Sequence, residues 1–167
     1  MIEIKTSAYW NREVKSLVND NKAVAVGITR YPPKYELGYE LSGVIKELAP
    51  TSRLLYSNSG QGQFKRLFFE ELKVNWSMAE NKLIDLSERF SGKTIFLLCY
   101  ENILKLPVED NWCHRIMVAD FIKSIPDSSM NYQIEELRLK TYTNTLKEIK
   151  PQIAEQKTCK DIQLGLC

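Results

Sequence analysis

Thr94-Ile95-Phe96-Leu97-Leu98-Cys99 is the stretch that decides the fold. Its apolar residues follow one another without polar alternation, which is typical of a strand that is covered on both faces. Ala23-Val24-Ala25-Val26-Gly27-Ile28 has the same character and predicts a second strand of this kind. Such strands occur in parallel sheets, because the helical crossovers between parallel strands cover both faces of the sheet.

Helical patterns separate these runs, and two prolines, Pro32 and Pro33, prevent the earlier run from continuing. The predicted elements are a strand over 2–6, a helix over 11–19, a strand over 23–28, a short helix over 53–56, one helix from 63 and another over 77–90, a strand over 94–99, and helices over 112–125 and 132–149. Residues 36–62 are otherwise predicted to be mostly irregular. The alternation predicts an α/β fold: a single Rossmann-like domain over 1–150, with a mainly parallel sheet flanked by helices. A flexible tail is expected over 151–167.

The composition is that of an ordinary globular protein. Lys and Arg number 23 and Asp and Glu 21 in the 167 residues, for a net charge of +2. Non-specific nucleic-acid binding usually requires a stronger basic excess, so charge alone does not identify a nucleic-acid partner, although one stays open. The N-terminus has no signal-like pattern and no apolar run has membrane-spanning length, which predicts a cytoplasmic protein without a membrane partner. The oligomeric state stays unknown.

Two motifs are expected to meet at the carboxyl edge of the sheet. Cys99-Tyr100-Glu101 ends one predicted strand, and Cys113-His114-Arg115 begins the helix that follows. Arg30 comes directly after the other strand. In open parallel sheets, ligands bind beyond the carboxyl ends of the strands. The sequence therefore predicts a site there that combines thiols, the chain's single histidine, a carboxylate and two guanidinium groups.

The Cys113-His114-Arg115 motif suits reactive or anion-binding chemistry. With Asn111 as the predicted N-cap, the motif lies in the first helical turn, where the helix dipole favours a thiolate at Cys113. Adjacent helical residues point about 100° apart, so contact between Cys113 and His114 stays open. Arg115 opposes the dipole and therefore suggests an anionic partner. This partner is Glu101, a bound phosphate or carboxylate, or both, with Glu101 orienting Arg115 toward the ligand.

The four cysteines, at positions 99, 113, 159 and 167, form no CxxC pair and are predicted to be thiols. Cys99 is a candidate nucleophile, although a small buried residue at a strand end is an equal interpretation. A zinc site from Cys99, Cys113 and His114 lacks a clear fourth ligand and the usual paired spacing. We therefore expect no metal and no cofactor.

A proline-stiffened loop supplies candidate ligand-binding residues. Arg30, Tyr31 and Lys34 interleave cations with an aromatic ring, an arrangement that can stack a base and contact its phosphate. Tyr35 is interpreted as a cover for the edge of the core, whereas Arg30 is the strongest functional candidate of the loop.

The chain resembles domain-of-unknown-function family 488 over roughly residues 2 to 125. Four separated motifs carry the resemblance, and they occur in the family's order: Val26-Gly27-Ile28-Thr29-Arg30-Tyr31-Pro32-Pro33-Lys34-Tyr35, Leu48-Ala49-Pro50, Leu97-Leu98-Cys99-Tyr100-Glu101 and Cys113-His114-Arg115. The resemblance implies an α/β fold without a firmly assigned activity. It implies a site at the positions of Arg30, Cys99, Glu101, Cys113, His114 and Arg115.

Two features depart from the family pattern. The connection from Cys99 to Cys113 is longer than usual, and Ile116 stands where many members have a second histidine. Chemistry that requires two histidines is therefore not expected.

Two classes of function follow from these residues. In the first, the protein is an enzyme for a nucleotide, a nucleoside or a nucleic-acid end. Its predicted catalytic residues are Cys99, Glu101, Cys113 and His114, and its predicted ligand-binding residues are Arg30, Tyr31, Lys34 and Arg115. In the second, the protein is a non-catalytic module that captures a nucleotide-like anion, a nucleic acid or a protein partner.

Overall fold

The computed structural model describes residues 2–100, 113–125 and 132–136. Its elements in chain order are β1 (Ile2–Ala8), α1 (Arg12–Asn19), β2 (Ala23–Gly27), β3 (Gly43–Val44), a 3-10 helix (Lys46–Leu48), α2 (Ser52–Leu55), α3 (Gln61–Arg89), β4 (Thr94–Cys99), α4 (His114–Lys123) and β5 (Tyr132–Glu136). All described residues belong to one compact unit. The predicted domain boundary at residue 150 and the tail over 151–167 lie outside the described residues.

The described strands form one five-stranded parallel sheet in the order β3-β2-β4-β1-β5. The apolar run that ends at Cys99 is the central strand, with β2 on one side and β1 on the other. Ile95 is level with Ile4 of β1 and with Val24 of β2. The predicted α/β class, with a parallel Rossmann-like sheet and flanking helices, is confirmed.

The two faces of β4 pack against different helices. Ile95, Leu97 and Cys99 belong to the larger apolar cluster, which also contains the buried residues of α3 and α4. Phe96 and Leu98 belong to the smaller cluster on the other face, where α1 is anchored by its buried residue, Val14. This period-two alternation places the Cys99 side chain on the face that α3 and α4 cover.

A single helix replaces the two that were predicted between residues 63 and 90. α3 runs for 29 residues and buries six side chains, Phe64, Phe68, Leu72, Ala79, Leu83 and Leu86. The prediction of two helices was wrong because no glycine or proline interrupts residues 63–89, so the backbone ladder continues. Leu67, which was expected on the apolar stripe, is 38% exposed.

A fifth strand lies where the start of a helix was predicted over 132–149. Tyr132–Glu136 pairs in parallel with β1, and it buries Ile134 while Gln133 and Glu135 are exposed. This alternation of buried and exposed residues has the period of a strand, which the helical interpretation missed. Residues 137–149 of the predicted helix lie outside the described residues.

The segment 36–62 also contains more structure than was predicted. Besides the expected short helix, which is α2, it contains the two-residue edge strand β3 and the 3-10 helix. Among the described helices, none combines the length and the apolar character needed to cross a membrane.

Candidate functional site

The carboxyl ends of β1, β2 and β4 lie side by side and continue to pair beyond the strands. The backbone N–H of Tyr9 donates to the carbonyl of Cys99 at 3.1 Å, and that of Ile28 donates to Leu98 at 2.9 Å. The first residues after these strands are therefore neighbours. They include Thr29 after β2 and Tyr100 after β4.

α4 begins at this same edge. Cys113 is its N-cap residue, with extended backbone, so the helix begins at His114 and not at the predicted Trp112 with Asn111 as cap. The side chains of Cys113, His114 and Arg115 are all buried. The motif consequently points into the protein, below the surface at which it was expected to meet a ligand.

Two thiols and an imidazole form a tight cluster at the start of α4. The Sγ atoms of Cys99 and Cys113 lie 3.3 Å apart, and Cys99 Sγ lies 3.4 Å from Nδ1 of His114. Both cysteines are in the thiol form and not in a disulfide. The expectation that the two motifs meet at one place is confirmed for these three residues.

The protonation of His114 follows from its second ring nitrogen. Nε2 lies 2.8 Å from the backbone carbonyl oxygen of Ile28. A carbonyl only accepts, so Nε2 carries a proton and donates it there. In the neutral imidazole, Nδ1 is then an acceptor that faces the thiol of Cys99.

The guanidinium of Arg115 contacts the cluster at Cys113. Its Nη1 donates to the sulfur of Cys113 at 3.4 Å. Arg115 therefore places a positive charge beside this sulfur, at the N-terminal end of α4. The described contacts therefore form a continuous series from Arg115 through Cys113 and Cys99 to His114.

Phe68 of α3 covers the imidazole from the apolar side. The two rings pack edge to face, with centroids 6.0 Å apart. Because Phe68 is fully buried, this contact holds His114 against the sheet and keeps water away from that side of the ring.

The predicted ligand-binding residues of the loop lie closer to the surface. Arg30 is half-buried, and its Nε donates to the carbonyl of Pro50 at 3.0 Å. Tyr31 is 65% exposed, and Lys34 is also exposed. Arg30 follows Ile28 by two residues, so the contact of Ile28 with His114 joins this loop to the cysteine cluster. Glu101 lies outside the described residues.

A group of tyrosines beside the cluster was not predicted. Tyr9 is fully buried, and its hydroxyl lies 2.8 Å from that of Thr29. The ring of Tyr100 packs edge to face against the rings of both Tyr9 and Tyr35. Tyr35 is half-exposed and covers this group, in agreement with its structural interpretation. The position of Tyr9 just after the first predicted strand was the available signal for its place at this edge.

Gly27 makes room for this arrangement. A Cβ atom at this position would lie 2.6 Å from the hydroxyl oxygen of Tyr9, which is closer than real Cβ contacts allow. The absence of a side chain at the end of β2 therefore permits the close approach of Tyr9 to Thr29.

Burial of Tyr9 predicts a loss of stability at alkaline pH. Desolvation raises the pKa of its hydroxyl above the ordinary value of 10.0. Above that pH the unfolded chain loses a proton that the folded chain keeps, so the free energy of unfolding falls as pH rises, by up to about 1.4 kcal/mol per pH unit. Burial also raises the pKa of Tyr39, which adds to the slope. Urea unfolding at pH 9 to 11 should show the combined slope, and Tyr9→Phe should remove the part that Tyr9 contributes.

Tyr56→Phe is the control for this prediction, because Tyr56 is 82% exposed. It should leave the alkaline slope unchanged. An equal slope in wild type and Tyr9→Phe would contradict the assignment to Tyr9.

Comparisons of the chain with protein-family models, with curated proteins and with solved structures find no match. The resemblance to domain-of-unknown-function family 488 therefore stays a prediction.

Proposed function

We propose that this protein is an enzyme that acts on a nucleotide, a nucleoside or a nucleic-acid end at the carboxyl edge of its sheet. The observation that supports the proposal is the series of contacts from Arg115 through Cys113 and Cys99 to His114. A thiol beside a cation, joined to an imidazole through a second thiol, supports nucleophilic catalysis, because a nearby base can activate the nucleophile.

Cys113 is the proposed nucleophile. Its proton passes to Nδ1 of His114 by way of Cys99, and its sulfur attacks the electrophilic atom of the substrate. One sulfur–substrate bond forms while the bond to the leaving group breaks, and the leaving group departs with the proton from His114. Water then cleaves the thio-intermediate and restores the thiol. Arg115, beside the attacking sulfur, stabilises negative charge at the reacting centre.

The loop after β2 is the proposed binding region for the rest of the substrate. Arg30 and Lys34 supply positive charge for a phosphate, and the exposed ring of Tyr31 supplies a face on which a base can stack. Glu101 lies two residues after the end of β4 in the sequence and keeps its predicted role as an acid or base.

Burial of the cluster favours a second candidate, a non-catalytic binding module. Cys113 is 1% exposed and Arg115 is 2% exposed, whereas Tyr31 is 65% exposed. In this alternative the exposed loop captures the same anionic ligand, and the cysteine cluster only stabilises the start of α4.

A ligand screen separates the two candidates. Purified protein is heated with nucleotides, sugar phosphates and short oligonucleotides, and each mixture is examined by mass spectrometry. An enzyme should show a rise in Tm together with a new product. A binding module should show the rise in Tm without any product, and absence of both would contradict both candidates.

Lys34→Ala tests whether the loop holds the ligand that the screen identifies. Loss of one charge-assisted contact of about 1.5 kcal/mol should weaken binding roughly tenfold. Lys22→Ala is the matched control, because Lys22 is also exposed but precedes β2, whereas Lys34 follows it. Equal effects of the two substitutions would show that the loop does not bind the ligand.

A further inference from the structure

Cys99, Cys113 and His114 have the donor atoms of a metal site. The two Sγ atoms and a ring nitrogen of His114 all lie within 4.8 Å of one another, and all three side chains are buried. We infer that these residues bind one Zn²⁺ ion through two thiolates and Nδ1 of the imidazole. This inference goes beyond the proposed function and does not depend on it.

The distances are close to those that the ion requires. Zn–S bonds of about 2.3 Å and Zn–N bonds of about 2.0 Å in a tetrahedron place two sulfurs about 3.8 Å apart and sulfur and nitrogen about 3.5 Å apart. The observed distances are 3.3 Å between the sulfurs and 3.4 Å from Cys99 Sγ to Nδ1. The third pair, Cys113 Sγ and the ring nitrogen, lies within 4.8 Å. The ion would therefore separate the sulfurs by about half an ångström and draw Cys113 Sγ and the imidazole together by up to about 1.3 Å.

The imidazole is already oriented as a ligand. Nε2 of His114 donates to the carbonyl of Ile28 at 2.8 Å, which is the outer contact that metal-binding histidines usually make. It places the lone pair on Nδ1, the nitrogen that faces Cys99. Phe68 packs against the edge of the same ring and limits its rotation.

The charges also suit a divalent ion. Binding releases one proton from each of two thiols, and the resulting pair of thiolates neutralises the two charges of Zn²⁺. Arg115 donates to Cys113 Sγ and can hydrogen-bond that sulfur as a thiolate. The described residues supply three ligands, so the fourth position of the tetrahedron is left for water or for an atom of a bound molecule.

The sequence pattern does not favour a metal site at these three residues. Its two cysteines are 14 residues apart and form no CxxC pair, and the histidine adjoins the second cysteine. The site arises because the end of the central strand lies against the first turn of α4. The expectation of no metal rested on this spacing and on the lack of a clear fourth ligand. Sequence spacing does not register the contact between the two segments.

Metal binding and the proposed thiol chemistry exclude each other at a given moment. A sulfur that is bound to Zn²⁺ is not available for attack on a substrate. If the chain has turnover, Zn²⁺ should therefore inhibit it.

Titration of reduced, metal-free protein with Zn²⁺ against a chromophoric chelator tests the inference. We expect one equivalent to bind. Co²⁺ in place of Zn²⁺ should give the visible bands of a tetrahedral site and a thiolate-to-cobalt charge-transfer band. Cys99→Ala and Cys113→Ala should each weaken Zn²⁺ binding at least about a hundredfold, because two ligands cannot hold the ion as three do.

His114→Gln tests the nitrogen ligand. Glutamine keeps an N–H group that can reach the Ile28 carbonyl but has no imidazole lone pair at the position of Nδ1. It should weaken Zn²⁺ binding at least about tenfold, a loss of the size that the second-shell partners of a metal site cause. Far-ultraviolet circular dichroism of each variant shows whether it is folded.

The double variant Cys159→Ser/Cys167→Ser is the matched control, because it removes two thiols outside the described residues. It should bind Zn²⁺ as the wild type does. Failure of the wild type to bind, or binding that only this double variant abolishes, would overturn the inference. Neither result would bear on turnover, and absence of turnover would not bear on Zn²⁺ binding.

Discussion

Cys113→Ser should reduce turnover of the substrate found by the ligand screen by at least about a thousandfold. Serine is nearly isosteric and can keep the contacts to Cys99 and Arg115, but its hydroxyl is far less acidic than a thiol and is a poor nucleophile without a strong base. The decisive measurement is kcat/KM for wild type and variant at equal protein concentration. Loss of a nucleophile should lower kcat, whereas loss of uniform binding would raise KM alone.

Cys99→Ser separates the two thiols. Cys99 is proposed to pass a proton and not to attack, and a hydroxyl can also pass a proton, so this variant should keep much more activity than Cys113→Ser. Thermal unfolding of both variants shows whether they are equally folded. Full turnover in folded Cys113→Ser, or a larger loss in Cys99→Ser, would contradict the assignment of Cys113 as the nucleophile.

Phe68→Ala should lower the free energy of unfolding by about 3–5 kcal/mol. Phe68 is 0% exposed, is the second of the six buried residues along α3 and packs against the rings of both Phe64 and His114. Its truncation removes apolar contacts and leaves a cavity that a long, anchored helix cannot readily close. Urea denaturation measures the change in the free energy of unfolding. Both proteins are fitted with the same dependence of that free energy on urea concentration.

Val74→Ala is the control on the same helix, because Val74 is 81% exposed. It should change the free energy of unfolding by no more than about 0.5 kcal/mol. A loss below about 1 kcal/mol in Phe68→Ala would mean that α3 does not cover the sheet as described. A milder substitution, Phe68→Leu, should still loosen the edge contact with His114.

The central strands could be predicted because few other secondary structures fit their residues. A run such as that of β4 is too short for a membrane span and too apolar for a surface strand, so only a covered strand fits. The start of β5 was assigned to a helix because Tyr132 and Ile134 begin a segment whose later residues have helical spacing. Parallel pairing with β1 determines that residues 132–136 form a strand. The local sequence alone does not show this pairing with a distant strand.

The position of the candidate site at the carboxyl edge of the sheet was predicted, but the burial of its side chains was not. Topology alone indicated that Cys99 and Cys113 would lie at one edge, because α4 follows β4 in the chain. The burial of Arg115 and the contact of His114 with Ile28 depend on how α4 packs on the sheet. Adjacent residues on a helix point in different directions, and only the packing shows which of them reaches Cys99.

The order of the strands has a consequence for the growing chain during synthesis. β1 and β2 are not neighbours in the sheet, because β4 lies between them, and Ile4 meets its partner only when Ile95 has been made. The 91 residues from Lys5 to Ile95 must therefore be made before β1 finds a permanent neighbour. Such high contact order slows folding, so we expect a nascent chain that ends before residue 94 to depend on chaperones.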